Sequence, residues 1–208
     1  MKRWAFAGVI AGAVACGGSV NSSLSPHGFA GTELATALRK PDYQFRDSHG
    51  RPFRLDSATA GKVTLLMFGY TNCPDVCPVH LANLAAVLDK MPDEVQRNVV
   101  VVFVSIDPAR DSLPVLNAWV KGFDPNFVGL TGPDSAVAAV QRELRLPPSL
   151  RERRAGSGYT VGHSSEVIAF TRDGWGRVAY PFGTRQREWA HDLPLLVAYG
   201  QGTASTTD

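Results

Sequence analysis

Cys73 and Cys77 stand in the run FGYTNCPDVCP, from Phe68 to Pro78, where an apolar stretch gives way to a helical pattern. Two thiols four positions apart can close a disulfide or hold one soft metal ion between them. The wider CxxxC spacing differs from the CxxC of thioredoxin-type oxidoreductases, since Pro74, Asp75 and Val76 all lie between the cysteines. As a staple the pair is weak, because a disulfide closing so short a loop stabilises by only about 2 kcal/mol. As thiolates the two sulfurs select Cu(I) or zinc, and an added imidazole makes a Cys₂His set that suits copper in either oxidation state.

Five histidines can supply that imidazole. His163, in the run YTVGHS just before an apolar strand pattern, is the candidate if the loop carrying it folds beside the cysteines. His80 follows Cys77 closely enough to be a rival on the first turn of the same helix. A helical side chain points back along its own helix, so His80 is expected to be an exposed residue of that turn instead. His27, His49 and His191 have no cysteine near them in sequence.

The elements that must position these groups read as one domain over 41–200. Tyr43–Arg46 and Pro52–Leu55 flank the turn DSHG and form a hairpin. Lys62–Tyr70 and Val99–Ile106 are continuous apolar runs of the kind buried on both faces of a sheet. Between them Leu81, Leu84, Ala85 and Leu88 recur at helical spacing. Cys77 is expected as the N-cap of that helix with Pro78 at its first position, a place that favours thiolate over thiol.

Leu113–Val120 reads as helix, Phe127–Leu130 as a short strand, and a further helix opens at Pro133 and runs to about Leu144. Arg145–Thr160, with its RERR cluster, is expected as a long solvated loop. Val167–Phe170 and Arg177–Tyr180 make a second hairpin before a last helix over Gln186–Val197. A hairpin, a βαβ unit and a closing ββα make a thioredoxin-like α/β fold with an N-terminal β-hairpin extension. In such a sheet the loop before the closing hairpin lies beside the head of the first core helix.

Lys2 and Arg3 precede a weakly polar stretch from Trp4 to Ala15 that ends in small residues. This is the pattern of a cleaved secretory signal over 1–15, too short to span a bilayer as a helix. The run AVAC resembles a bacterial lipobox, which makes Cys16 the lipidated residue. A flexible tether over 16–40 and a polar tail over 201–208 complete the organisation. The reading places the domain on the extracytoplasmic side of a bacterial membrane, where disulfides persist. Removing Lys2 and Arg3 takes the formal charge from +2 to zero, so no nucleic-acid partner is implied.

Other patterns are weaker. Gly156 and Gly158 precede a strand instead of following one, which excludes a dinucleotide loop. Asp107 and Asp111 are expected to cap the next helix and to pair with Arg110.

Three segments together carry a resemblance: FGYTNCPDVCP, the run SIDPARD from Ser105 to Asp111, and VGHS from Val161 to Ser164. In that order they resemble the signatures of the Sco (SenC) copper-chaperone family, membrane-tethered thioredoxin-fold proteins that help assemble the dinuclear copper centre of cytochrome c oxidase. The resemblance implies Cys73, Cys77 and His163 as ligands of Cu(I) or Cu(II). It also implies the copper-bearing oxidase subunit, or another copper or thiol protein, as partner. Gly162 departs from the pattern, which commonly has Asp before the histidine, and His80 occupies a position not usually histidine. The alternatives are a thiol–disulfide oxidoreductase working through Cys73 and Cys77, and a copper or redox sensor.

Overall fold

The computed structural model describes residues 25–153 and 158–199. Its centre is β4 (Val63–Gly69), buried along its whole length and parallel to β5 (Val99–Ser105), with Gly69 opposite Ser105. Both strands are runs of large apolar residues because both of their faces meet core. β6 (Val128–Thr131) continues the parallel set beside β5, and β9 (Val167–Phe170) lies antiparallel on the other side of β4. β10 (Trp175–Tyr180) pairs with β9 as the expected hairpin.

The outer strands are β1 (Thr32–Arg39) against β10 and the hairpin β2 (Gln44–Asp47) and β3 (Pro52–Arg54) against β6. The eight-stranded order is therefore β1-β10-β9-β4-β5-β6-β2-β3. Among the described residues six helices accompany it: α1 (Leu55–Ala58), α2 (Val76–Leu88), α3 (Asp93–Asn98), α4 (Leu113–Lys121), α5 (Asp134–Glu143) and α6 (Gln186–Ala198). α2 and α6 pack on each other, and α4 lies over β6 with Leu116 and Val120 against Gly129. No helix among the described residues is long and apolar enough to cross a membrane.

Two expectations need correction. The tether expected over 16–40 contains β1, and the chain just before it is fixed: Asp192 of α6, fully buried, accepts the backbone N–H groups of Ala30 and Gly31 at 2.9 Å each and the Tyr180 hydroxyl at 2.8 Å. β1 is an edge strand with a register irregularity between Glu33 and Leu38, so its burial does not alternate and its sequence carries no strand signal. The long loop expected over Arg145–Thr160 holds a small hairpin, β7 (Leu150–Arg153) and β8 (Tyr159–Gly162). All of β7 is exposed, and a strand with no buried face has no apolar pattern to read. The signal over 1–15, Cys16 and the tail over 201–208 lie outside the described residues.

Candidate metal centre

β4 ends at Gly69 and delivers the chain, through a turn in which Cys73 N–H donates to the Tyr70 carbonyl, to the head of α2. The helix starts earlier than expected. Asp75 is the N-cap, its side chain accepting the Val76 N–H at 2.6 Å, so Cys77 is the second helical residue and Pro78 the third. Pro78 still fits, because the first four N–H groups of a helix have no partner within it.

The orphan N–H of Cys77 donates to the sulfur of Cys73 at 3.5 Å. Cys73 therefore occupies the anion-favouring place at the helix head, and the expectation for Cys77 reverses. The Cys77 thiol donating to it, helped by the backbone N–H groups of Cys77 and Asp75, lowers Cys73 to about 4. Cys77 is pushed upward by holding that shared proton and by its complete burial. The pair carries one proton between two sulfurs, with the charge on Cys73.

His163 follows β8 directly. Its Nδ1–H donates to the Ser164 carbonyl at 2.6 Å, which leaves the Nε2 lone pair facing the Cys77 sulfur at 3.8 Å. The Tyr70 ring stands edge-on to this imidazole, centroid to centroid 5.9 Å. Donor atoms of Cys73, Cys77 and His163 all lie within 4.8 Å of one another. Among the described residues no other three histidine, cysteine or carboxylate side chains come so close. Gly162 imposes no conformation on this arrangement: a Cβ there would meet only ordinary contacts, with the Leu150 carbonyl at 3.8 Å and Glu152 at 4.0 Å.

His80 is not the exposed residue expected. It is buried, its Nε2–H donates to the Ser165 carbonyl at 3.0 Å, and burial lowers its basicity. It lies outside the three-donor cluster. His27 and His191 pair instead with Glu33 and Asp192.

The aspartates of SIDPARD brace the site and cap nothing, since Ser112 stands at the N-cap of α4. Asp111, 2% exposed, accepts from the Thr71 hydroxyl at 2.7 Å, the Ser105 hydroxyl at 2.6 Å and the Thr71 N–H at 3.2 Å, tying the cysteine loop to the end of β5. Asp107 does pair with Arg110, as expected, and accepts the Tyr159 hydroxyl at 2.6 Å. The Arg110 guanidinium lies over the Tyr159 ring at 3.8 Å and near Tyr70 at 5.4 Å, joining the hairpin before His163 to the cysteine loop. Asp111→Asn, which offers a donor where two hydroxyls need acceptors, is expected to cost about 1–2 kcal/mol, measured by denaturant unfolding of the reduced protein.

These features meet relatives at the level of sequence and of structure. The SCO1/SenC family profile matches residues 31–198. The Arabidopsis thaliana protein named SCO1 homolog 1, mitochondrial, is 41% identical over 104 residues, 50% of this chain and 31% of that protein. The Mus musculus SCO2 homolog, mitochondrial, is 33% identical over 139 residues, 66% of this chain and 54% of its own length. The chain thus spans about a third to a half of these two relatives. Among solved structures, that of Bradyrhizobium japonicum ScoI with copper bound superposes with a TM-score of 0.67 at 32% identity, covering 77% of this chain and 99% of that one. Solution structures of apo Sco1 from Thermus thermophilus give 0.71 at 32% identity, covering 83% and 99%.

Proposed function

The chain belongs to the SCO1/SenC family, and from that premise we propose that it is a copper metallochaperone whose cargo is held by Cys73, Cys77 and His163. The observation that carries this reading is the convergence of two sulfurs and one imidazole nitrogen, from two well-separated parts of the sequence, within 4.8 Å. The donor set fits the metal, since soft thiolates and imidazole suit copper better than they suit magnesium, calcium or manganese. The B. japonicum relative with copper bound supports it.

The residues divide the work. Cys73, 9% exposed and held as thiolate, is the donor that meets incoming metal or a partner's sulfur first. Cys77, fully buried and the partner that holds the thiol proton, gives it up when metal is bound. His163 offers Nε2 because the Ser164 carbonyl holds its other nitrogen in the protonated form. Release proceeds by ligand exchange, in which a partner's thiolates replace these donors one at a time. The partner is a copper or thiol protein, and the copper-bearing subunit of cytochrome c oxidase is the one the family reading favours. Lipidation at Cys16, after removal of 1–15, would hold the domain at the extracytoplasmic face of a bacterial membrane.

The asymmetry of the two cysteines favours a second use of the same site. The Cys73 thiolate can attack a partner disulfide and expel one partner thiolate, and Cys77 can then attack the mixed disulfide and expel the other. The product is a Cys73–Cys77 disulfide, with two electrons passed to the partner. Copper titration of the reduced and the oxidised full chain tests the shared site. About one copper per chain is expected in the reduced form and at least a roughly hundredfold weaker binding after oxidation, because the disulfide removes two of three donors. Equal binding by both forms would exclude the cysteines as ligands.

A further inference from the structure

The loop between β8 and β9 carries His163 and has no regular structure of its own over 163–166. Inside it, the His163 Nδ1–H donates to the Ser164 carbonyl and the Glu166 N–H donates to the Ser164 hydroxyl at 3.2 Å. From outside, two side chains reach it among the described residues by hydrogen-bond distance: the Cys77 sulfur at His163 and the His80 Nε2–H at the Ser165 carbonyl. Both belong to α2, three positions apart, and so lie on one face of the helix. His80 is 1% exposed, and the Phe182 ring covers it edge-on at 5.9 Å.

We propose that His80 is a positioning residue: by clamping the Ser165 carbonyl to the helix that carries Cys77, it holds the His163 imidazole beside the two sulfurs before any metal arrives. The proposal rests on the copper reading for its consequence, though not for its geometry. A loop fixed only from within can swing as a unit about its ends. The bond from His80 removes that freedom, so the ordering of the third donor is settled on folding and is not charged against metal binding. An imidazole is suited to this task because it is rigid, offers one N–H at the needed reach, and leaves an otherwise apolar contact with Phe182.

The metal-free protein supplies the first test. Amide hydrogen exchange at Ser164, Ser165 and Glu166 is compared in the full chain, His80→Leu and His80→Gln, with β4 and β5 as internal reference. His80→Leu, which keeps the volume and removes the donor, is expected to speed loop exchange about tenfold, the size of one lost bond to a half-buried acceptor, and to leave β4 and β5 unchanged. His80→Gln, whose amide can donate to the same carbonyl, is expected to restore most of the protection. Unchanged loop exchange, or equal acceleration in loop and strands, would overturn the proposal.

Copper affinity closes a double-mutant cycle. His80→Leu is expected to weaken binding about tenfold with His163 present and by less than about twofold in a His163→Ala background. Equal losses in both backgrounds would overturn the positioning role. Should His163→Ala itself bind copper as the native chain does, the ligand assignment fails, and loop exchange alone then decides the role of His80.

Discussion

A Gly69→Ala chain is expected to bind copper about a hundredfold more weakly and to lose about 3 kcal/mol of stability, the upper end of what overpacking costs in a tight core. The cause is a single methyl group. A Cβ on Gly69 would stand 2.5 Å from the Cys77 sulfur and 2.7 Å from the Phe103 ring, distances no real Cβ tolerates. Neither neighbour can yield without cost, since Cys77 and Phe103 are both fully buried, and of the two the Cys77 side chain at the head of α2 is smaller than the Phe103 ring packed in β5. β4 is locked to β5 through Gly69 and Ser105, so the strand cannot retreat either. The sulfur must therefore move, and a ligand displaced on the ångström scale no longer meets the other two donors.

Gly158→Ala is the matched control. Its Cβ would meet nothing within 4 Å, and neither property is expected to change. Denaturant unfolding and copper competition on both variants give the comparison. Native copper affinity in Gly69→Ala would mean that the position of the Cys77 sulfur does not govern binding.

The centre works as a scaffold for three donors because each is fixed by a different part of the fold. β4 and the N-cap at Asp75 place the cysteines, Asp111 ties their loop to β5, and β8 with the Ser164 carbonyl orients His163. Both cysteines are buried, Cys73 the less completely and with its thiol held low, Cys77 completely and with its thiol pushed up. In the proposed function the same asymmetry would serve metal exchange and disulfide chemistry, and oxidation of the pair would act as a switch on loading.

Much of this was legible in the sequence wherever burial left a pattern. The continuous apolar runs of β4 and β5, the helical spacing of Leu81, Leu84 and Leu88, and the β9–β10 hairpin all stand where the residues placed them. The elements that escaped have little or no buried face: the irregular edge strand β1, the exposed β7, and α3, in which Val95 alone is buried. At the site, the spacing of Cys73 and Cys77 and the strand after His163 were enough to suggest that the three meet. Which cysteine carries the charge was not legible, because it depends on an N-cap two residues earlier than expected and on unequal burial of the two sulfurs. Asp111 was read as a cap for the helix beside it, yet its partners are Ser105 at the end of β5 and Thr71 just beyond the neighbouring β4, and the Thr71 pairing joins residues 40 positions apart, which spacing along the chain does not encode.

The most direct measurement is copper titration of the reduced chain alongside Cys73→Ser, Cys77→Ser and His163→Ala, with thiolate-to-copper absorption followed in the Cu(II) forms. Each cysteine variant removes one of two soft donors, and each is expected to bind at least about a thousandfold more weakly, beyond the roughly 10–100-fold loss typical of residues that merely support ligands. His163→Ala keeps both sulfurs and is expected to lose about a hundredfold in affinity, with a shifted absorption band, since a third donor of different softness has gone. The account predicts three distinct losses from one site. A His163→Ala chain with native affinity and a native spectrum would contradict it.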